Sequence, residues 1–188
     1  MANLLTFSKD LIQLVLAPRR GWLDIEKEDP DPQKLTETGF YPLLSIVALT
    51  AFCHGLYGSE KFDVARQLIE ALCQFLSLFM GAMLARVLFE SMLARVCGAT
   101  ASEARMNLVI IYCLSLMGLI DIISNLCPIE LAVIWFLPAF VALVAWQART
   151  FLGVNAFKQG QYIAFALLCL IILPVVIGFL LHLIVTSV

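Results

Sequence analysis

The sequence predicts an all-α, polytopic membrane bundle: five transmembrane helices preceded by an amphipathic helix lying in the membrane interface. Two observations carry this expectation. Gln159 to Val188 contains no Asp, Glu, Lys or Arg, and about 20 apolar residues suffice to cross a bilayer's hydrocarbon core. The chain as a whole is 62% hydrophobic and 14% charged, with a mean hydropathy of +0.95, against about 25% charged in soluble domains. With 188 residues there is room for one bundle and for no separate soluble domain. The net charge of −2 and the absence of a basic run argue against nucleic acid as a partner.

Each element follows in order. Within Asn3 to Leu16, Leu4, Leu5, Phe7, Leu11, Ile12, Leu14, Val15 and Leu16 fall on one broad helical arc. Asn3, Thr6, Lys9, Asp10 and Gln13 fall on the other. Lys9 and Asp10 interrupt the apolar stretch and no small-residue cleavage site follows, which is unlike a signal peptide. Pro18 to Gly39 carries four basic and six acidic residues with Pro18, Pro30 and Pro32, and reads as a solvated connector. The expected division is therefore a membrane-peripheral segment 1–39 and a membrane domain 40–188.

The first span is expected from Phe40 to Tyr57 with Pro42 in its first turn, followed by a charged loop from Ser59 to Arg66. A second helix from Gln67 to Val96 ends where Gly98 supplies a left-handed cap. Thr100-Ala-Ser-Glu103 reads as a capping box opening the third helix, Arg105 to Leu126. Fourth and fifth spans are expected over Ile129 to Ala148 and Tyr162 to Thr186. Pro138 and Pro174 lie inside these two, where each should kink its helix and free a carbonyl.

Charge bias orients the bundle. With the N-terminus cytoplasmic, the inner segments hold Lys9, Arg19, Arg20, Lys27, Lys34, Arg86, Arg95, Arg105, Arg149 and Lys158, and the outer ones only Lys61 and Arg66. The positive-inside rule then expects N-in, C-out.

Residue chemistry identifies no catalytic, cofactor or metal motif, and no Ser/His/Asp or Cys/His set of recognisable spacing is present. Polar candidates inside spans are Asp121 and Asn125, one helical turn apart, with His54, His182 and Glu130 at similar outer depth. Such a group can ligate a metal or relay protons, or simply reach interfacial water. Arg86 and Glu90 share a helix face as a buried ion pair or as side chains snorkelling to headgroups. The six cysteines, Cys53, Cys73, Cys97, Cys113, Cys127 and Cys169, have no C-x-x-C pair and read as small hydrophobes; the alternative is a disulfide between two of Cys53, Cys73 and Cys127. Gly81 with Ala85, and Ala139, Ala142, Ala145 and Ala148, suit close helix packing or a homo-oligomer contact. Trp22, Trp135, Trp146, Tyr41, Tyr57 and Tyr162 read as interfacial anchors.

Three stretches resemble the Yip-domain family of Ypt/Rab-interacting membrane proteins, in its short bacterial branch. They are Pro18-Arg-Arg-Gly-Trp22-Leu-Asp-Ile25, Gly98-Ala-Thr-Ala-Ser-Glu-Ala-Arg105 leading into Leu108-Val-Ile-Ile-Tyr112, and Phe151-Leu-Gly-Val-Asn-Ala-Phe-Lys158. The likeness extends over nearly the whole chain and implies a five-span, N-in, C-out protein of a bacterial inner membrane. Such a protein is expected to act through membrane lipids or a protein partner, without turnover or cofactor. The long cytoplasmic N-terminus and Asp-Leu-Tyr-Gly-Pro element of eukaryotic members have no counterpart here, so GTPase binding is not carried over. The alternative expectation is a small transporter or channel subunit using Asp121, His54 and His182.

Overall fold

The computed structural model describes residues 4–55, 63–127 and 136–186. These are all-helical, with no strand among them. The chain opens with two short helices, α1 (Leu4–Leu16) and α2 (Pro18–Glu28). Five further helices follow: α3 (Pro32–His54), α4 (Val64–Cys97), α5 (Glu103–Leu126), α6 (Pro138–Phe151) and α7 (Ala156–Val185). Four of them, α3, α4, α5 and α7, are long and apolar enough to cross a membrane, which fits an integral membrane protein. The fourth expected span falls partly on residues 128–135, outside the described residues; α6 covers its remainder.

Local chemistry accounts for the helix ends. Asp63 caps α4, accepting from the Ala65 N–H at 2.9 Å. Its far end closes at Gly98, whose φ of 61° lets its N–H reach the Ala94 carbonyl at 3.0 Å. The cap of α5 lies two residues beyond the expected one: Ser102, not Thr100, accepts from the Arg105 N–H. Glu103 then occupies the first turn of α5, where a carboxylate favours the helix dipole. The first span likewise starts earlier than expected, at Pro32 behind an Asp31 cap. Pro42 is therefore interior to α3, and the turn before it, Thr36–Phe40, widens to π-helical hydrogen bonding because proline offers no N–H to the carbonyl four residues back. The same device precedes Pro174, at Leu168–Ile172 in α7. Pro138 occupies the first turn of α6; the expected kink involves residues 128–135, which lie outside the described residues.

The core is built around α5. Every residue from Met106 to Gly118 is buried, the pattern of a helix apolar all round and enclosed by others. It packs against α3, α4 and α6 and touches α7. Close approach is bought with small side chains: a Cβ on Gly81 would meet the Pro174 ring at 2.8 Å, so the Gly81–Ala85 step seats α7 on α4. In α6 the buried stripe runs through Val141, Val144, Ala145 and Ala148, whereas Ala139 faces out.

The segment expected to be a solvated connector is mostly helix, and α2 buries Gly21, Trp22 and Ile25. Together α1 and α2 form a hairpin laid on α5 and α6. In α1, Phe7, Leu11 and Leu14 face the bundle at 0–3% exposure, while Leu5, Ile12 and Leu16 on the opposite side are 59–80% exposed. Asp10, assigned to the polar arc, is buried beside the apolar stripe. All six cysteines are free thiols.

Candidate functional site

The three segments that carry the family resemblance lie far apart in the chain and meet at one end of the bundle. Trp22 of α2 stacks on Phe151 at 5.3 Å and meets Tyr112 edge-on at 6.0 Å. Its indole N–H donates to the Val144 carbonyl at 2.9 Å. Arg105 pairs with Glu26 at 2.9 Å, donates to the Phe151 carbonyl at 3.3 Å and lies over the Phe151 ring. The second and third segments are joined by the Ala101 N–H donating to the Leu152 carbonyl at 3.2 Å. Gly153 has a φ of 61°, and a Cβ there would meet the Thr100 hydroxyl at 2.3 Å. Only glycine suits both demands. Beyond this seam the Lys158 ammonium reaches the Arg95 carbonyl at 3.5 Å, and Phe157 projects at 99% exposure.

A second link fastens the hairpin from the other side. The Tyr112 hydroxyl donates to the Asp10 carboxylate at 2.8 Å, and Phe7 stacks on the Tyr112 ring at 5.6 Å. Burial pushes the Asp10 carboxyl above its ordinary value, although the Tyr112 hydrogen bond favours the ionised form. Trp22 and Tyr162 are therefore buried hydrogen-bonding side chains rather than interfacial anchors; the Tyr162 hydroxyl donates to the Ala145 carbonyl at 2.7 Å. Trp135 and Tyr57 lie outside the described residues.

At the other end of α5, about 30 Å from Arg105 at 1.5 Å per residue, a polar set gathers around Asn125. Its amide pairs reciprocally with that of Gln74, at 2.8 and 3.3 Å. The Asn125 amide also donates to the Thr50 hydroxyl at 3.3 Å. His54 Nδ1 donates to the Asn125 carbonyl at 2.9 Å, supplying a partner to one of the carbonyls that a helix end leaves open. The structure thus brings Asn125 and His54 together in a hydrogen-bonded bracket joining α3, α4 and α5. Asp121 sits one turn away, half-buried, and its carboxylate makes no hydrogen bond or ion pair among the described residues. His182 is exposed on α7, and none of these bonds is to it. Glu130 lies outside the described residues. Among the described residues, no three of His, Cys, Asp or Glu gather as metal ligands do.

Arg86 and Glu90 do pair, at 2.9 Å, and Glu103 joins them at 3.3 Å. With side chains 37–64% exposed, this is a surface network across α4 and α5 rather than a buried pair. The residues missed in the sequence are Asp10, Tyr112, Thr50 and Gln74. Tyr112 and Gln74 did carry a signal, each being a polar interruption of a long apolar run whose hydrogen-bonding group must find a partner.

Compared with known protein families, curated proteins and solved structures, the chain matches none.

Proposed function

We propose that this chain is a non-enzymatic membrane adaptor or organiser of the Yip type, with five spans, an N-in and C-out orientation and a place in a bacterial inner membrane. One observation carries the reading: the segments around Trp22, Arg105 and Phe151 converge on a single platform. The elements that form it carry exposed Phe157, Leu23, Arg19 and Arg20, which a partner can reach. Basic-residue bias assigns that platform to the cytoplasm. The exposed Leu5, Ile12 and Leu16 side of α1 suits the apolar layer of the interface, so that the helix is amphipathic twice over, toward protein and toward lipid. The platform bridges α5, α2 and α6, and groups carried on packed helices are held more precisely than groups on loops.

The transporter or channel reading is supported by Asp121, a carboxylate inside a span with no pairing among the described residues. Against it stands the bracket around Asn125, whose side chains bond to one another rather than line a polar path. Purified protein in sealed vesicles separates the two: the adaptor gives no flux above empty vesicles under proton, sodium or metal gradients, whereas flux abolished by Asp121→Asn establishes the transporter. Cysteine labelling in intact cells tests the topology, with Ser59→Cys labelled from outside and Ala99→Cys protected.

A further inference from the structure

Between the first turns of α3, the middle of α4 and the N-terminal turns of α5 lies a cavity of about 320 Å³. Its walls combine Glu37 and Tyr41 of α3, Met83 and Arg86 of α4, and Asn107 of α5. Asn107 is only 8% exposed, yet its amide makes no hydrogen bond among the described residues. That amide is not sealed from solvent, and the residue lines a space large enough to supply a partner.

The charges decide what kind. Arg86 spends Nε on Glu90 and Nη2 on Glu103, which leaves Nη1 for another acceptor. Glu37 accepts from Gln33 at 3.3 Å and makes no ion pair among the described residues, Arg86 being engaged by Glu90 and Glu103. Glu37, Glu90 and Glu103 outnumber the single guanidinium, so a ligand that brings only negative charge is repelled. A ligand that brings both signs fits: a phosphodiester toward Arg86 and Asn107, and an ammonium toward Glu37 and the half-exposed ring of Tyr41. Depth agrees with a lipid. From Glu70 to Arg86, α4 rises about 24 Å without a charged residue, close to the roughly 30 Å of a hydrocarbon core. Arg86 is thereby set near headgroup level. Met83 lines the cavity and, with Met80 and Leu84, is 41–43% exposed on the flank of α4, where acyl chains would lie.

We infer that this cavity is a headgroup site for a zwitterionic phospholipid with a primary ammonium, of the phosphatidylethanolamine class. A primary ammonium donates to Glu37; the trimethylammonium of phosphatidylcholine has no N–H to give. The inference rests on the membrane-organiser reading only for its lipid surroundings.

The test uses the full chain purified in mild detergent and exposed to equal mole fractions of dioleoyl phosphatidylethanolamine, phosphatidylcholine and phosphatidylglycerol. Lipid retained per protein is read by native mass spectrometry. Phosphatidylethanolamine should be retained about tenfold above the other two, as one charge-assisted hydrogen bond allows. Glu37→Gln, an exposed change that leaves the helix intact, should abolish the preference, and Arg86→Gln should lower retention of all three. Lys27→Gln, an exposed change outside the cavity lining, should leave the preference in place. Equal retention of the three lipids, a preference for phosphatidylglycerol, or a preference that survives Glu37→Gln overturns the site. None of these outcomes touches partner binding at the platform, so the two readings fail separately.

Discussion

The ring of Trp22 stacks on Phe151 at 5.3 Å while its indole N–H closes on the Val144 carbonyl. A residue expected to float at the membrane surface is thus the pin that holds the N-terminal hairpin to α6. At 2% exposure it also closes the core where α2, α5 and α6 meet.

Trp22→Ala should therefore destabilise the hairpin's docking by about 3–5 kcal/mol, the usual cost of truncating a buried aromatic. Trp22→Phe keeps the ring contact and leaves the Val144 carbonyl without its donor, for a smaller loss of about 1 kcal/mol. Hydrogen exchange of α1 and α2 in detergent measures both: rapid exchange confined to the hairpin is expected for Trp22→Ala, with α5 still protected.

Asp10 gives the docking a pH dependence of definite sign. Its folded-state carboxyl is raised by burial, so the folded protein holds that proton more tightly than the unfolded chain does. Stability from this group is full below the ordinary carboxylate value and is lost as pH rises through the raised folded value. Melting curves recorded from pH 7 downward should show the hairpin tightening on acidification, and Asp10→Asn, which still accepts from Tyr112, should flatten that trend.

The opposite end of α5 should respond to the loss of one amide. Asn125→Ala strands the Gln74 amide and removes a donor from Thr50, at about 1–3 kcal/mol for buried groups left unpaired. Asn125→Ala and Gln74→Ala combined should cost less than the sum of the single changes, because the partners are removed together. Additive losses would mean the pair is not coupled.

Much of the architecture is legible in residue order, and the limits are physical. The four long apolar helices follow from hydropathy, and Gly98 adopts the left-handed cap that its place after Cys97 suggests. The start of α3 is less legible: Pro32 opens the helix behind Asp31, and Pro42 inside it is tolerated because the turn Thr36–Phe40 widens, of which composition gives no sign. Asp10 is misplaced by a helical wheel because a wheel sorts residues between water and one apolar phase, and Trp22 by a rule that sends tryptophan to the membrane interface. The hairpin instead faces both the bundle and its surroundings, and Asp10 is buried because Tyr112, distant in sequence, carries the hydroxyl that meets it. The Asn125 bracket is legible as polar residues at one depth, but not as a closed set, since Gln74 and Thr50 become its partners only through the packing of α3 and α4 on α5.

The proposal that the protein works through the platform seated by Trp22 is decided by comparing what co-purifies in mild detergent with the tagged wild-type chain, Trp22→Ala and Asp121→Asn. The expected result is a protein partner in fixed stoichiometry with wild type and Asp121→Asn, and lost from Trp22→Ala. Retention of the same partner by Trp22→Ala, or its loss from Asp121→Asn alone, would contradict the claim.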